Sequence, residues 1–125
     1  MLRTDAGWGF PPEEAVTTAL QNTLFGACAE TVDGQTIGMG RITGDGGVQF
    51  FITDVIVRKD WHNRGVGTRI MTALMRYIHA HAVPGCFVGL FSAVGREKFY
   101  ERFGFVIRPD GHYGAGMSFW TQRRG

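Results

Sequence analysis

The spacing of apolar residues changes period several times along the chain, and each change predicts a new element. Pro11-Pro12-Glu13-Glu14 reads as a helix start, with proline near the first helical position and acids in the first turn. Val16, Ala19, Leu20, Thr23 and Leu24 then fall on one face of a helix over 12–24. Two strand-like runs follow, over 25–32 and 35–43, joined by Asp33-Gly34, a strong hairpin dipeptide. Gly44-Asp45-Gly46-Gly47 turns the chain into a long run, 48–57, that is apolar on both faces, as a central strand covered on both sides would be. The period becomes helical again over 66–81, where Val66, Ile70, Leu74, Tyr77, Ile78 and His81 form one stripe that Val83-Pro84-Gly85 ends. Cys86–Phe91 reads as a short buried strand. A helix over 94–103 follows, stopped by Gly104 as a left-handed cap with Phe105 behind it. A last pair of strands, 104–108 and 116–121, brackets the loop Pro109–Gly116. The order predicts an α/β (α+β) fold in one domain over 1–125: a mixed, mostly antiparallel central sheet with helices on both faces.

Composition narrows the classes. At 125 residues the chain is long enough for one core and too short for two. A net charge of +2 with scattered basic residues argues against a nucleic-acid partner. No apolar run approaches membrane-spanning length, and Met1–Pro12 has no signal-peptide core. Cys28 and Cys86 stand far apart without metal-ligand spacing, so the expectation is two reduced thiols, no metal site and a cytoplasmic protein.

The segment with most chemistry is Val55-Ile-Val-Arg-Lys-Asp-Trp-His-Asn-Arg-Gly-Val-Gly-Thr68. A β-branched run ends in a polar loop, the loop ends in Gly65-x-Gly67, and an amphipathic helix begins at once. That order offers a row of backbone N–H groups to a phosphate, with the helix dipole favouring the negative charge. Glycine allows close backbone approach, and His62, Arg64 and Arg69 could add positive charge.

His62-Asn63-Arg64-Gly65-Val66-Gly67, placed after Val57, resembles the acetyl-CoA loop Q/R-x-x-G-x-G/A of the GNAT superfamily of N-acetyltransferases. Phe99-Tyr-Glu-Arg-Phe-Gly-Phe105 is similar to that superfamily's second signature, F/L-Y-E-x-x-G-F. The two stand on the right elements in the right order, and the resemblance covers roughly residues 7 to 121. It implies a GNAT-like sheet and acetyl-CoA as donor, with coenzyme A as product. It also implies that the backbone of Val55, Ile56 and Val57 pairs with the pantetheine arm. His62, Asn63, Arg64, Gly65, Val66, Gly67 and Thr68 would hold the pyrophosphate. The acetyl group would sit where this strand splays from Cys86–Phe91, with Ser92 and Ala93 at the mouth. Tyr100 is implied as the phenol that reprotonates or stabilises the departing thiolate; otherwise it is a packing residue beside Phe99 and Phe103.

The general base is open. Where some members carry a glutamate on the central strand, this chain has Phe51. Asp54 is the only carboxylate of that strand, and burial would make it a usable base. Its other reading is structural, an acid holding a loop or a backbone amide. His112 and Tyr113 could touch substrate. Trp8, Phe10, Phe25 and Phe50 could line an acceptor pocket or simply be core, and Trp61 could pack beneath the loop. His79 and His81 read as surface or half-buried. Two departures from the pattern stand out. His62 replaces the usual Gln or Arg, which introduces a side chain that titrates near neutrality. The usual first strand is missing or reduced to a few residues around Met1–Asp5, leaving an unpaired edge that predicts either a homodimer or a true start upstream of Met1.

The leading expectation is therefore an acetyl-CoA-dependent N-acetyltransferase that transfers directly to a small-molecule or peptide primary amine in a ternary complex. Cys86, in an apolar strand without adjacent His or Lys, is a poor nucleophile. The alternatives are a non-catalytic acyl-CoA-binding or regulatory module on the same fold, and a nucleotide-binding oxidoreductase fragment. The last lacks the ribose-binding acid of a βαβ unit.

Overall fold

The computed structural model describes residues 13–121, and Pro11, Pro12, Trp8, Phe10 and the strand expected around Met1–Asp5 lie outside them. The chain forms two compact units divided between Phe91 and Ser92.

The first unit opens with helix α1 (Glu13–Gln21), shorter than the expected 12–24. It stops early because the Leu24 N–H goes to the Ile42 carbonyl at 2.8 Å, which draws the chain into the sheet. Strands β1 (Phe25–Glu30), β2 (Thr36–Gly44) and β3 (Gln49–Val57) form the expected antiparallel meander. In its first hairpin Gly34 has φ +87°, and the Gly34 N–H bonds the Thr31 carbonyl at 2.9 Å. In the second turn Asp45 Oδ1 accepts the N–H groups of Gly47, Val48 and Gln49 at 2.8–3.0 Å. Helix α2 (Val66–His81) matches the expected 66–81, and β4 (Phe87–Leu90) adds to β3 in parallel, so the sheet order is β1-β2-β3-β4.

Helix α2 packs on the sheet through Val66, Ile70, Met71, Leu74 and Ile78, all buried. Glycines in β2 let it approach: a Cβ on Gly38 would stand 2.7 Å from Ile70 Cδ1, and one on Gly40 2.8 Å from Ile70 Cγ2 and 3.0 Å from Leu74 Cδ1. Phe25, paired with Ile42, reaches the same face and stacks on Tyr77 at 4.8 Å.

A bulge divides β3. Met39 pairs with Ile56 but Arg41 pairs with Thr53, so β3 has one residue more than β2 between those points. Asp54 sits there with φ +55°, the left-handed conformation that a bulge admits and a regular strand does not. The extra residue exchanges the faces. Ile52 pairs with Ile42 on the α2 side, whereas beyond the bulge Val57 pairs with Gly38 on that side, and Asp54 and Ile56 turn to the other. Phe50, Ile52, Asp54 and Ile56 are all buried, yet they serve two faces. This is why the run looks apolar on both. On the face away from α2, Arg41 ties the sheet to α1 by donating to the Ala19 carbonyl at 3.2 Å.

In the second unit, helix α3 (Glu97–Glu101) is shorter than the expected 94–103: its cap is Arg102 in the right-handed region, and Gly104, expected as the left-handed cap, takes φ +95° in the turn that follows. The strands expected over 104–108 and 116–121 are not formed. Val106, Ile107, Met117, Phe119 and Trp120 are exposed, and an alternating pattern becomes a strand only when a neighbour completes its ladder. The intervening loop is more ordered than its glycines suggest: Asp110 Oδ1 accepts the His112 and Tyr113 N–H groups, both at 2.8 Å, and the Arg108 guanidinium lies 4.2 Å from the Tyr113 ring centroid.

Candidate active site

The end of β3 and the start of α2 are built as one turn. The parallel ladder between β3 and β4 ends at the Ile52–Leu90 pair, and β3 runs on past it to Val57. Arg58 N–H holds the Ile37 carbonyl at 2.8 Å, and the 3₁₀ turn Lys59–Trp61 follows. Asn63 at φ +62° and Gly65 at φ +81° then reverse the chain into α2. The bond from the Arg69 N–H to the Gly65 carbonyl, 3.1 Å, caps the helix start. By helix geometry the N–H groups of Val66, Gly67 and Thr68 precede that bond and have no acceptor within the helix. Their dipoles add to that of α2, so the turn suits an anion. A Cβ on Gly65 would meet nothing within 4 Å, so glycine is required there by its φ and not by crowding.

Side chains brace this turn. His62 Nε2 donates to the Val57 carbonyl at 2.7 Å, linking the loop to the last residue of β3. The Arg64 guanidinium lies 4.9 Å from the centroid of half-buried Trp61, a cation–π contact that holds a positive charge in the loop. Arg58 and Asp60 approach at 3.8 Å. Thus Val55, Ile56, Val57 and the whole 62–68 segment lie on one continuous strand–turn–helix connection.

Asp54 has a partner that the sequence analysis did not foresee. Its carboxylate accepts from Arg41 Nε at 2.7 Å, with the two side chains only 5% and 12% exposed. Arg41 also donates to Thr23 Oγ1 at 2.6 Å. The geometry supports the structural reading of Asp54: a buried charge neutralised by a buried charge, joining β2, β3 and α1. The available signal was Arg41 itself, a cation within an otherwise apolar strand, since buried charges are nearly always paired.

In the second unit Tyr100 lies on α3, half-buried, with its ring edge-on to Phe99 at 5.0 Å. Burial pushes the phenol above its ordinary 10.0, with the Arg96 charge pulling partly back. The group therefore keeps its proton at neutral pH, as an acid toward a leaving thiolate must. Ser92 Oγ donates to the Ala93 carbonyl at 2.7 Å.

Other candidates resolve as scaffold. Phe50 is fully buried core and Phe25 stacks on Tyr77. His81 stacks on Tyr77 at 4.0 Å and its Nδ1 donates to the Tyr77 carbonyl at 2.8 Å. Cys86 and Cys28 are free thiols, and Cys86 Sγ donates to the Gly47 carbonyl at 3.2 Å. Among the described residues no helix is long and apolar enough to cross a membrane.

Comparison with known proteins agrees with the two motifs. Residues 21–107 match the family model of the acetyltransferase (GNAT) domain. An uncharacterized N-acetyltransferase, ycf52, of Porphyra purpurea is 28% identical over 98% of this chain and 69% of its own length. A probable acetyltransferase of Staphylococcus aureus, SA2161, has a solved structure that superposes with a TM-score of 0.81 at 34% identity, covering 94% of this chain and 88% of that one. A GNAT family acetyltransferase of Elizabethkingia anophelis, solved with acetyl-CoA bound, shares the fold at a TM-score of 0.60 and 17% identity, over 78% of this chain and 63% of that one. These relatives are acetyltransferases by name or family, which disfavours a non-catalytic module. The chain belongs to the GNAT family of acetyltransferases, enzymes that use acetyl-CoA as acyl donor.

Proposed function

We propose that residues 1–125 form one acyl-transfer domain that moves the acetyl group of acetyl-CoA directly to a primary amine, releasing coenzyme A. The observation that carries this reading is the strand–turn–helix connection: a left-handed turn at Asn63 and Gly65 opens the first N–H groups of α2 at the end of β3, beyond its ladder with β4. The pyrophosphate would lie on Val66, Gly67 and Thr68, and the pantetheine amides along Val55–Val57. The acetyl group would lie where β3 outruns β4, with Ser92 two residues beyond the last residue of β4. Attack of the amine nitrogen on the thioester carbonyl forms the amide and breaks the C–S bond, and Tyr100 supplies the proton that the thiolate takes. The acid–base step is worth roughly 10²–10⁴-fold, and orientation of the two bound reactants supplies much of the rest. Asp54, paired with Arg41, is better suited to holding the bulge than to taking a proton, so the amine would lose its proton to water or to a group of its own.

The acceptor is a small-molecule or peptide amine. The two free thiols fit a reducing, cytoplasm-like compartment. β1 stands at the sheet edge among the described residues, and pairing of a second copy there would give a homodimer. The test is direct. Acetyl-CoA raises the melting temperature and NADH does not, and a screen across amine classes finds an acceptor that releases free thiol. A protein stabilised by NADH and indifferent to acetyl-CoA overturns the proposal.

A further inference from the structure

We propose that the acceptor is a primary monoamine carrying an aromatic ring, and that Phe51 and Phe87 select it. The inference rests on the reading that the end of β3 holds the thioester of acetyl-CoA. Helix α2 seals one face of the sheet, where its Ile70 and Leu74 lie against Gly40 of β2. The amine therefore reaches the thioester carbonyl over the opposite face. Two rings stand on that face beside the end of the β3–β4 ladder. Phe51 alternates with Ile52, which faces α2, and pairs with Gly89 of β4. Gly89 has no side chain, and the Phe87 ring lies over it: a Cβ there would stand 2.6 Å from Phe87 Cε2 and 3.6 Å from Phe51 Cε1. The rings of Phe51 and Phe87 meet at 5.6 Å between centroids, tilted by 54°. Phe87 is 37% exposed and Phe51 half-buried, so the pair presents ring surface to which a third ring can add.

The charges around this face disfavour an acceptor with a second ammonium group, which needs a carboxylate to replace its lost hydration. Asp54, the only carboxylate of β3, is already neutralised by Arg41 at 2.7 Å. Asp45, in the turn before β3, is held by three backbone N–H groups. Glu13 and Glu14 stand exposed at the start of α1, whereas Arg41 meets that helix near its other end, through Ala19. The residues beside Phe51 are Thr43, its partner on β2, and Thr53, two positions along β3. Two rings and neutral hydroxyls suit an aryl group and offer nothing to a second cation. The reach agrees. Phe51 precedes the last residue of the ladder by one strand step, roughly 3.3 Å, so a short alkyl arm carries the nitrogen from the rings to the carbonyl.

The test is release of free thiol from acetyl-CoA with phenethylamine, butylamine and spermidine, for wild type, Phe87→Leu and Gly89→Ala. Butylamine keeps the alkyl arm without the ring, and spermidine adds charge instead. Wild type should use phenethylamine with a kcat/KM about tenfold above either of the others, the scale of one ring–ring contact. Phe87→Leu keeps apolar volume and removes the ring, and Gly89→Ala displaces the ring by occupying the space beneath it. Each should bring the ratio of kcat/KM for phenethylamine over butylamine close to one, mainly through the KM of phenethylamine. The melting shift with acetyl-CoA shows that each variant is folded and loaded. Equal use of the three amines, a preference for spermidine, or a ratio that neither variant changes overturns the proposal. Stabilisation by acetyl-CoA with no thiol released by phenethylamine overturns it too, and leaves the donor reading standing. If acetyl-CoA does not stabilise wild type, the donor reading fails and this inference with it.

Discussion

Arg41 Nε donates to Asp54 Oδ2 at 2.7 Å at the point where β3 carries one residue more than β2. A non-glycine residue held at φ +55° costs on the order of 1–3 kcal/mol, and the ion pair is positioned to hold it there. Removing one partner leaves the other charged in a dry site. Asp54→Asn or Arg41→Met alone should each destabilise the fold by about 3–5 kcal/mol. The double variant should recover part of that loss, read as a shift in urea midpoint at unchanged slope. Near-additive losses would show that the two side chains act separately.

Crowding at Gly40 predicts a different failure. Alanine there places a methyl 2.8 Å from Ile70 Cγ2 and 3.0 Å from Leu74 Cδ1, and overpacking of this kind costs about 1–3 kcal/mol. Because the obstacle is side chain and not backbone, Ile70→Ala should partly rescue Gly40→Ala while being destabilising alone. Urea denaturation of the four proteins of that cycle checks it.

The second hairpin turn predicts a pH dependence. The N–H of Gln49 above all, then those of Gly47 and Val48, hold the Asp45 carboxyl below its ordinary 3.8. A depressed carboxylate contributes stability that is present above 3.8 and is lost as pH falls through its lower folded value. Asp45→Ala should therefore reduce stability at neutral pH and flatten the acid limb of the stability curve. Direct titration of the Asp45 carboxyl by NMR should give a midpoint under 3.8.

Tyr100→Phe keeps the ring contacts with Phe99 and removes only the hydroxyl. Burial raises the phenol from its ordinary 10.0 against the partial pull of Arg96, so Tyr100 keeps its proton at neutral pH. No fall in kcat near neutral pH should arise from this group, and any alkaline fall should come later than for an ordinary phenol. The variant should lose about 10²-fold in kcat with little change in acetyl-CoA KM, in a thiol-release assay. An unchanged kcat would leave Tyr100 as a packing residue.

Much of the site was legible because it is local. Val55–Thr68 is a contiguous strand–turn–helix segment, and helix α2 appeared where the stripe from Val66 to Ile78 placed it. The meander was legible for the same reason, through Asp33-Gly34 and Gly44–Gly47. The strands expected over 104–108 and 116–121 failed because alternation in Phe105–Ile107 and Met117–Trp120 carries no information about a ladder partner. The reach of α3 was overestimated for a related reason: Phe99, Tyr100 and Phe103 have helical spacing, but the helix itself ends at Glu101.

The amino-acid sequence alone determined the hairpins, the long helix, the turn that leads into it and, through two motifs, the family. Each depends on neighbours within one turn or one hairpin, where local sterics and hydrogen bonding decide. Only the tertiary structure decided that Asp54 faces Arg41, that one extra residue switches the buried face of β3, and that His62 returns to the Val57 carbonyl. These depend on register between strands and on where a side chain ends after the chain has turned, and a one-residue offset in register reverses every side chain beyond it.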